Sequence, residues 1–131
     1  MALAFSTFLM FTGAAEQAME LYASVFSDAV IENVERYGPG DLGQEGLVKA
    51  ASFTLRDQRF RCFDSPPQHD FTFTPAISIF VDCESEAELE AAYAVLASGG
   101  DVLMPLGEYG FSTKFGWVND RFGVSWQLNL E

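Results

Sequence analysis

The chain has 131 residues, of which 49% are hydrophobic and 15% aromatic, so it can bury a core in one domain or in two small, intimately packed halves. Its 19 acidic and 7 basic side chains give a formal net charge of -12, which repels nucleic-acid phosphates and anionic lipid surfaces. No apolar run reaches the roughly 20 residues of a transmembrane helix. We therefore expect a cytoplasmic protein that binds neither nucleic acid nor membranes. Cys62 and Cys83 are too few for a disulfide scaffold and predict buried, reduced thiols.

The first predicted elements are a strand and a helix. An aromatic run over residues 5–11 has the length of a strand. Apolar residues at helical spacing then predict an amphipathic helix over about residues 13–26, with its apolar side facing a sheet. Thr12 precedes this helix, and we expect its side chain to accept hydrogen bonds from the free amides of the first turn.

Three further strands complete the first half. A β-rich stretch over residues 29–37 ends at a loop rich in glycine and proline. Two strands over residues 47–55 and 59–63 flank residues 56–58, which predicts a hairpin with a three-residue connection. The predicted order of the first half is therefore β-α-β-β-β.

A polar segment with two prolines separates this half from the next, because proline cannot donate to a sheet ladder. We place a first module at about residues 4–64, a linker at about 65–74 and a second module at about 75–131 within a single domain.

The second half repeats the order of the first. A strand over residues 76–82 precedes Ser85 and Glu88, whose spacing predicts a capping box, and Gly99 and Gly100 predict the end of that helix. The remaining strands are predicted over residues 102–104, 112–118 and 124–130, with a turn at 119–123. Shifting the first helix by 74 positions superposes the two apolar stripes, Ala15, Ala18, Met19 and Tyr22 falling on Leu89, Ala92, Tyr93 and Leu96. The sequence thus predicts an α+β fold built by internal duplication.

Four segments are similar to one known family: FLMFTGAAEQAMELY, RYGPGD, FTFTPAISIFVDCES and FGWVNDRFGVSWQLNL. They resemble the PhnB-like branch of the vicinal oxygen chelate (glyoxalase/bleomycin-resistance) superfamily, which carries the label 3-demethylubiquinone-9 3-methyltransferase domain. The last segment is the most specific. This resemblance implies two βαβββ modules that form a cupped mixed sheet, with the helices outside, around a small-molecule cavity. It also implies a homodimer.

The resemblance further implies positions for a divalent metal, which members of the superfamily hold with histidine and glutamate side chains from four strands. In this chain those positions fall on Thr7, on Cys62 or Asp64, on Ala76 and on Gln127. A metal enzyme needs about three protein ligands, supplied by histidine or carboxylate groups. This set does not supply them, so we expect no cofactor and no standard metal site. If a metal binds, its candidate ligands are Asp64, Cys62 and Gln127.

The remaining candidates are a loop histidine and two side chains of the last module. His69, the only histidine, would become a general base if it turned into the cavity, with Asp64 or Asp70 orienting its ring. Lys114 could present a charge to an anionic substrate, and Trp117 could stack on a planar ligand. The residues expected around the cavity are Thr7, Cys62, Ser78, Lys114, Trp117 and Gln127.

Three functions follow from these residues. The one we favour is metal-independent binding of a small aromatic or apolar molecule, with Thr7, Ser78 and Gln127 as its polar contacts. The second is a metal-dependent lyase, isomerase or dioxygenase. The third is the methyltransferase of the family label, which we discount because a nucleoside cofactor ordinarily needs a glycine-rich turn between strand and helix. Here Gly13 opens the first helix alone. Whether any reaction is catalysed is left open.

Overall fold

The order β-α-β-β-β occurs twice in the computed structural model, which describes residues 1–131. Contacts divide the chain into two units, Met1–His69 and Asp70–Glu131. The first unit contains β1 (Thr7–Phe11), α1 (Ala15–Val25), β2 (Ala29–Arg36), β3 (Val48–Leu55) and β4 (Gln58–Asp64). The second contains β5 (Ile79–Asp82), α2 (Glu86–Ala97), β6 (Asp101–Gly107), β7 (Lys114–Asn119) and β8 (Ser125–Leu130). The predicted α+β fold with a repeated order is confirmed.

Each unit forms one four-stranded mixed sheet. The strand orders are β1-β4-β3-β2 and β5-β8-β7-β6, so the two sheets have the same topology. In each sheet the first and last strands pair in parallel and the other neighbours pair antiparallel. Neither helix is long and apolar enough to cross a membrane.

Helix α1 buries the apolar stripe that the sequence predicts, namely Ala15, Ala18, Met19 and Tyr22. The Tyr22 ring lies 6.0 Å from that of Phe53, which stacks at 4.9 Å on Phe60 of the neighbouring strand. All three rings are nearly inaccessible to solvent. The side of the first sheet that carries Phe53 and Phe60 therefore packs against α1.

The start of α1 corrects a prediction. Ala14 occupies the N-cap position and no side chain of the cap accepts a hydrogen bond, so Thr12 does not cap the helix. Oδ1 of Asp64, at the end of β4, instead accepts hydrogen bonds from the backbone nitrogens of Gly13 and Ala15 at 2.8 and 3.0 Å. The free amides of the first turn are thus satisfied by a residue distant in sequence.

The hairpin between β3 and β4 is tighter than predicted. Leu55 pairs with Gln58, so the connection is the two residues Arg56 and Asp57 rather than three. Arg56 has φ 55, a left-handed conformation that such short hairpin turns require.

Both ends of α2 follow the prediction. Ser85 Oγ accepts a hydrogen bond from the Glu88 nitrogen at 3.1 Å, and Glu88 accepts in return from the Glu84 nitrogen at 3.0 Å. The helix ends at Ala97, and Gly99 takes the left-handed φ of 77. The buried residues of α2 are Leu89, Ala92 and Leu96.

The strands of the second unit differ from the prediction at their ends. The strand expected from residue 76 begins at Ile79, because the Ile77 nitrogen bonds back to the Thr74 carbonyl in a turn. β6 is longer than expected and spans Asp101–Gly107. Asp120 organises the predicted turn between β7 and β8: its Oδ1 accepts from the Phe122 and Val124 nitrogens.

Candidate ligand-binding site

The two faces of the second sheet differ because α2 packs on only one of them. On that side, a Cβ placed at Gly116 would lie 2.9 Å from the Tyr93 ring of α2. Gly116 pairs with Leu128, and the neighbouring pair Val118 and Trp126 is fully buried on the same side. The opposite side is here called the helix-free face of the second sheet. Its residues are Phe80, Asp82, Phe115, Trp117, Asn119, Ser125, Gln127 and Asn129.

A chain of hydrogen-bonded side chains lies on this face. Trp117 Nε1 donates to Ser125 Oγ at 2.8 Å, and Ser125 Oγ lies 2.7 Å from Ser78 Oγ. Gln127 Nε2 also donates to Ser78 Oγ, at 3.2 Å. The structure thus brings together three of the predicted cavity residues, Ser78, Trp117 and Gln127. The prediction missed Ser125, although it alternates onto the same polar side as Gln127.

Asn129 contributes an unpaired acceptor to the same face. Its side chain is 6% exposed, and its Nδ2 donates to Asp82 Oδ1 at 3.0 Å. Its Oδ1 is buried and has no hydrogen-bond partner. Because buried polar atoms are nearly always paired, such an oxygen is unusual, and leaving it unpaired costs free energy. A ligand that donates a hydrogen bond would remove this cost.

Aromatic rings adjoin these polar groups. The ring of Phe115 lies 5.0 Å from that of Phe111, 6.2 Å from that of Tyr109 and 6.3 Å from that of Phe80. Phe115 itself is buried, whereas Phe80 is 54% and Phe111 61% exposed. The rings of Phe111, Tyr109 and Phe80 are inclined to that of Phe115 by 73°, 90° and 34°. Exposed rings grouped in this way offer an apolar surface for contact with a ligand.

Lys114, which the sequence suggested as an anchor for an anion, has partners on α2. Its Nζ lies 2.9 Å from Glu86 Oε1 and 2.8 Å from Glu90 Oε1. Hydrogen bonds to Glu90 and then Glu86 raise the pKa of Lys114. Lys114 therefore joins β7 to α2, and nothing in this arrangement supports a contact with substrate.

Thr7 and Cys62 lie on the α1 side of the first sheet. Thr7 is half-buried beside Phe60, and Leu9, two residues further along β1, is paired with Cys62. Burial, followed by the charge of Asp64, raises the pKa of the Cys62 thiol to about 12. Cys62 is thus a neutral core thiol, in agreement with the prediction of buried, reduced cysteines.

Asp64 has both carboxylate oxygens occupied by the backbone. Oδ1 accepts from Gly13 and Ala15, and Oδ2 accepts from the Val48 nitrogen at 3.0 Å. The side chain is only 2% exposed. These contacts explain its position as part of the fold of the first unit, and they leave it poorly suited to bind a metal or to act as a base.

The donors present do not fit the divalent metal that the superfamily implies. No group of three or more histidine, cysteine, aspartate or glutamate side chains is placed to hold a metal ion. Cys62 is buried on the α1 side of the first sheet, and both carboxylate oxygens of Asp64 accept hydrogen bonds from backbone amides. Thr7 supplies only a hydroxyl and Ala76, in an exposed turn, supplies no donor.

His69 lies in the exposed segment that follows β4. Its Nε2 is 3.3 Å from Ser65 Oγ, which in turn donates to the Pro67 carbonyl oxygen at 2.9 Å. Asp64, considered as the group that would orient the imidazole, bonds to backbone amides instead. A role for His69 as a general base stays a prediction.

Comparisons with known proteins agree with the fold. The chain is similar to a PhnB protein from Bacillus cereus, described as a candidate 3-demethylubiquinone-9 3-methyltransferase, with 52% identity, 97% of this chain and 98% of that chain covered, and a TM-score of 0.94. A Pseudomonas aeruginosa protein is 27% identical, with 99% of this chain and 98% of that chain covered and a TM-score of 0.85. No curated protein matches the chain.

More distant structures share only the architecture. The fosfomycin resistance protein FosX from Mesorhizobium loti is 13% identical, with 100% of this chain and 94% of that chain covered and a TM-score of 0.63. The fold is that of the glyoxalase/bleomycin-resistance class of the vicinal oxygen chelate superfamily. A family profile described as 3-demethylubiquinone-9 3-methyltransferase matches residues 4–129, and the chain belongs to this PhnB-like family. The resemblance noted in the sequence is thereby confirmed.

Proposed function

We propose that the protein binds a small, planar and largely apolar organic molecule on the helix-free face of the second sheet, without a metal ion. The observation that carries this proposal is the buried, unpaired Oδ1 of Asn129 beside the Phe115 cluster of rings. The rings would contact the apolar body of the ligand, and the amide oxygen would accept a hydrogen bond from it.

A second amide on this face supports the same type of ligand. The Nε2 of Gln127 donates to Ser78, whereas its Oε1 makes no hydrogen bond. Gln127 and Asn129 are two residues apart on β8, so their side chains point to the same face about 6.6 Å apart along the strand. Asn119, paired with Ser125 on the same face, also has a buried Oδ1 without a hydrogen-bond partner. Three amide oxygens and no unpaired donor of comparable burial favour a ligand with an N–H or O–H group.

A metal-dependent lyase, isomerase or dioxygenase is the alternative, and the donor set described above does not favour it. Native mass spectrometry of protein expressed in metal-replete medium tests this directly. We expect a mass without metal, also after incubation with excess zinc, nickel, manganese or iron. About one divalent ion per chain would overturn the metal-free proposal.

The start of α1 does not support the methyltransferase activity in the family description. Helix N-termini bind the phosphate or carboxylate groups of many cofactors through free backbone amides. In this chain the Asp64 carboxylate already occupies the amides of Gly13 and Ala15. Titration with S-adenosylmethionine, followed by calorimetry, is the corresponding test, and we expect no heat of binding.

We also propose a homodimer, as the resemblance implies. Large apolar side chains such as Phe5, which is 87% exposed, and Ile77, which is 71% exposed, support association between copies. The same native mass spectra report the subunit number, and a monomer at all concentrations would contradict the proposal.

The ligand proposal is tested with a matched pair of probes, indole and N-methylindole, which share a ring system but differ in the N–H donor. The two tryptophans give separate indole N–H signals in amide NMR spectra. Trp117 lies on the helix-free face, whereas Trp126 is fully buried and donates to Asp120 Oδ2. We expect indole to shift the Trp117 signal and to leave the Trp126 signal in place.

Variants then identify the acceptor. Asn129→Leu removes the unpaired oxygen, and Gln127→Leu removes the second oxygen at a half-buried position that tolerates change more readily. At least one of the two should weaken indole binding by about tenfold, the loss of one hydrogen bond, without changing the binding of N-methylindole. Equal affinities for both probes in the wild type, or signals that shift only outside β5, β7 and β8, would overturn the proposal.

A further inference from the structure

We propose that the face of the first sheet opposite α1 binds a small aromatic carboxylate, with Arg59 and Arg61 recognising the carboxylate and Phe8 and Phe63 contacting the ring. This goes beyond the ligand site proposed above, because it concerns the other unit and the opposite charge preference: an anion rather than a neutral hydrogen-bond donor.

The position of the two arginines within the sheet is the first argument. β4 is a central strand, with β1 on one side and β3 on the other. Phe60, Cys62 and Asp64 are buried on its α1 side. Because side chains alternate along a strand, Arg59 and Arg61 lie together on the opposite face. Two like charges are thereby held next to each other in the middle of a sheet rather than at its edge.

Neither arginine has a partner within the protein. The chain contains 19 acidic side chains, and its ion pairs involve Arg36, Arg56 and Lys114 only. Glu32 and Glu35 share the face, since they are paired with Ser52 and Ala50, but they lie on β2 and form no ion pair with either arginine. In so acidic a chain, two adjacent guanidinium groups without a carboxylate are available for an external anion.

The neighbours of the arginines add hydrogen-bond donors. Arg61 is paired with Ser52, and Arg59 with Thr54, across the β3–β4 ladder. Ser52 Oγ accepts from Asn33 Nδ2 at 3.5 Å, which leaves its own proton to be donated. Guanidinium and hydroxyl groups on one face match the several lone pairs of a carboxylate.

An aromatic surface lies on the other side of Arg61. Phe8 of β1 is its neighbour across the parallel β1–β4 ladder. Phe8 stacks on Phe63 with 5.2 Å between ring centroids and 5° between ring planes, and Phe8 is 61% exposed. A flat apolar surface directly beside a cationic one fits a ligand with an aromatic ring bonded to a carboxylate.

The test compares benzoate with methyl benzoate, its neutral ester, by amide NMR titration of the full chain. We expect benzoate to shift the signals of β1 and β4, with an affinity that falls as salt is added. Arg61→Gln and Arg59→Gln should each weaken benzoate binding by about tenfold. Arg56→Gln is the matched control, because it removes the same charge from the exposed turn of the same hairpin and should leave the affinity unchanged.

Three results would overturn this inference: the ester binds the first sheet as tightly as benzoate, Arg56→Gln weakens binding as much as Arg61→Gln, or benzoate shifts no signal of β1 and β4 at millimolar concentration. The two proposals fail independently. Indole acting on the Trp117 signal reports the second sheet, whereas benzoate acting on the β4 signals reports the first.

Discussion

Oδ1 of Asp64 lies 3.0 Å from the backbone nitrogen of Ala15, a residue 49 positions earlier in the chain. The same oxygen accepts from Gly13, and Oδ2 accepts from Val48 at the start of β3. One carboxylate thus connects the end of β4 to the beginnings of α1 and β3. A negative charge at the first turn of a helix also interacts favourably with the helix dipole.

We predict that Asp64→Asn lowers the free energy of unfolding by about 3 kcal/mol. The amide nitrogen of asparagine cannot accept a hydrogen bond, so at least one of the three backbone nitrogens that Asp64 binds would lose its acceptor. Urea unfolding, followed by circular dichroism, measures the change. Asp57→Asn, in the exposed β3–β4 turn, is the control and should be nearly neutral. Equal effects of the two substitutions would show that the buried hydrogen bonds do not stabilise the unit.

The thiols of Cys62 and Cys83 should resist alkylation in the folded protein. Burial is the main cause that raises their pKa values, to about 12 and about 11 respectively. Since the thiolate is the reactive form, iodoacetamide at about pH 8 should leave both unmodified, and both should react in concentrated guanidinium chloride. Mass spectrometry counts the modified residues. Rapid native labelling of Cys62 would instead indicate an accessible, reactive thiol.

The same pKa values predict a loss of stability in alkali. Each thiol has a folded-state pKa above its ordinary value of 9.0. The protonated thiol therefore contributes fully to stability below pH 9, and that contribution is lost as the pH rises towards about 12 for Cys62. We expect a melting temperature that falls across this range. Between neutral pH and about pH 12, the melting temperature of Cys62→Ala should fall by less than that of the wild type.

Lys114→Gln should affect stability slightly and ligand binding not at all. Its ammonium group pairs with Glu86 and Glu90 at exposed positions on α2, where salt screens the interaction. We expect a small decrease in melting temperature at low salt that disappears at high salt. Weaker binding of indole or benzoate by this variant, with the fold intact, would show instead that Lys114 contacts the ligand.

Gly100→Ala should strongly destabilise the second unit. A Cβ at this position would lie 2.0 Å from the Asn119 carbonyl oxygen and 2.8 Å from the Asp120 carbonyl carbon. Backbone atoms cannot rotate away as side chains do, so we expect a loss of about 3 kcal/mol or a failure to fold. Gly38→Ala is the control, since its nearest contact is a side-chain oxygen of Asp41 at 3.7 Å. Thermal unfolding of both variants measures the difference.

Local sequence patterns predicted where the two helices lie. They did not predict which distant residues the helix ends contact. The start of α2 was predictable because Ser85 and Glu88 are three residues apart. The start of α1 was predicted wrongly at Thr12, because its acceptor is Asp64 on a strand that the chain reaches only much later. No local spacing encodes a contact of that kind.

The candidate site shows the same division. Alternation along the last strand predicted that Gln127 lies on the polar side of that strand. The structure pairs Gln127 with Trp117. Their shared contact with Ser125 and Ser78 depends on where the segment before β5 lies, which periodicity does not reveal. Thr7 is different: we expected it around the cavity, but it lies two residues from the apolar Leu9 and therefore on the same, α1-facing side of β1.

The parallel pairing of first and last strands has a consequence for synthesis on the ribosome. β1 cannot pair with its only neighbour in the sheet until β4 has left the ribosome. In the same way, β5 cannot pair at Ile79 until Trp126 of β8 has been synthesised. Antiparallel hairpins close locally and early, whereas these ladders close over long loops and late. Until then, the apolar edge of each nascent sheet is exposed in the growing chain. Each unit is therefore most vulnerable to misassociation just before its last strand is translated.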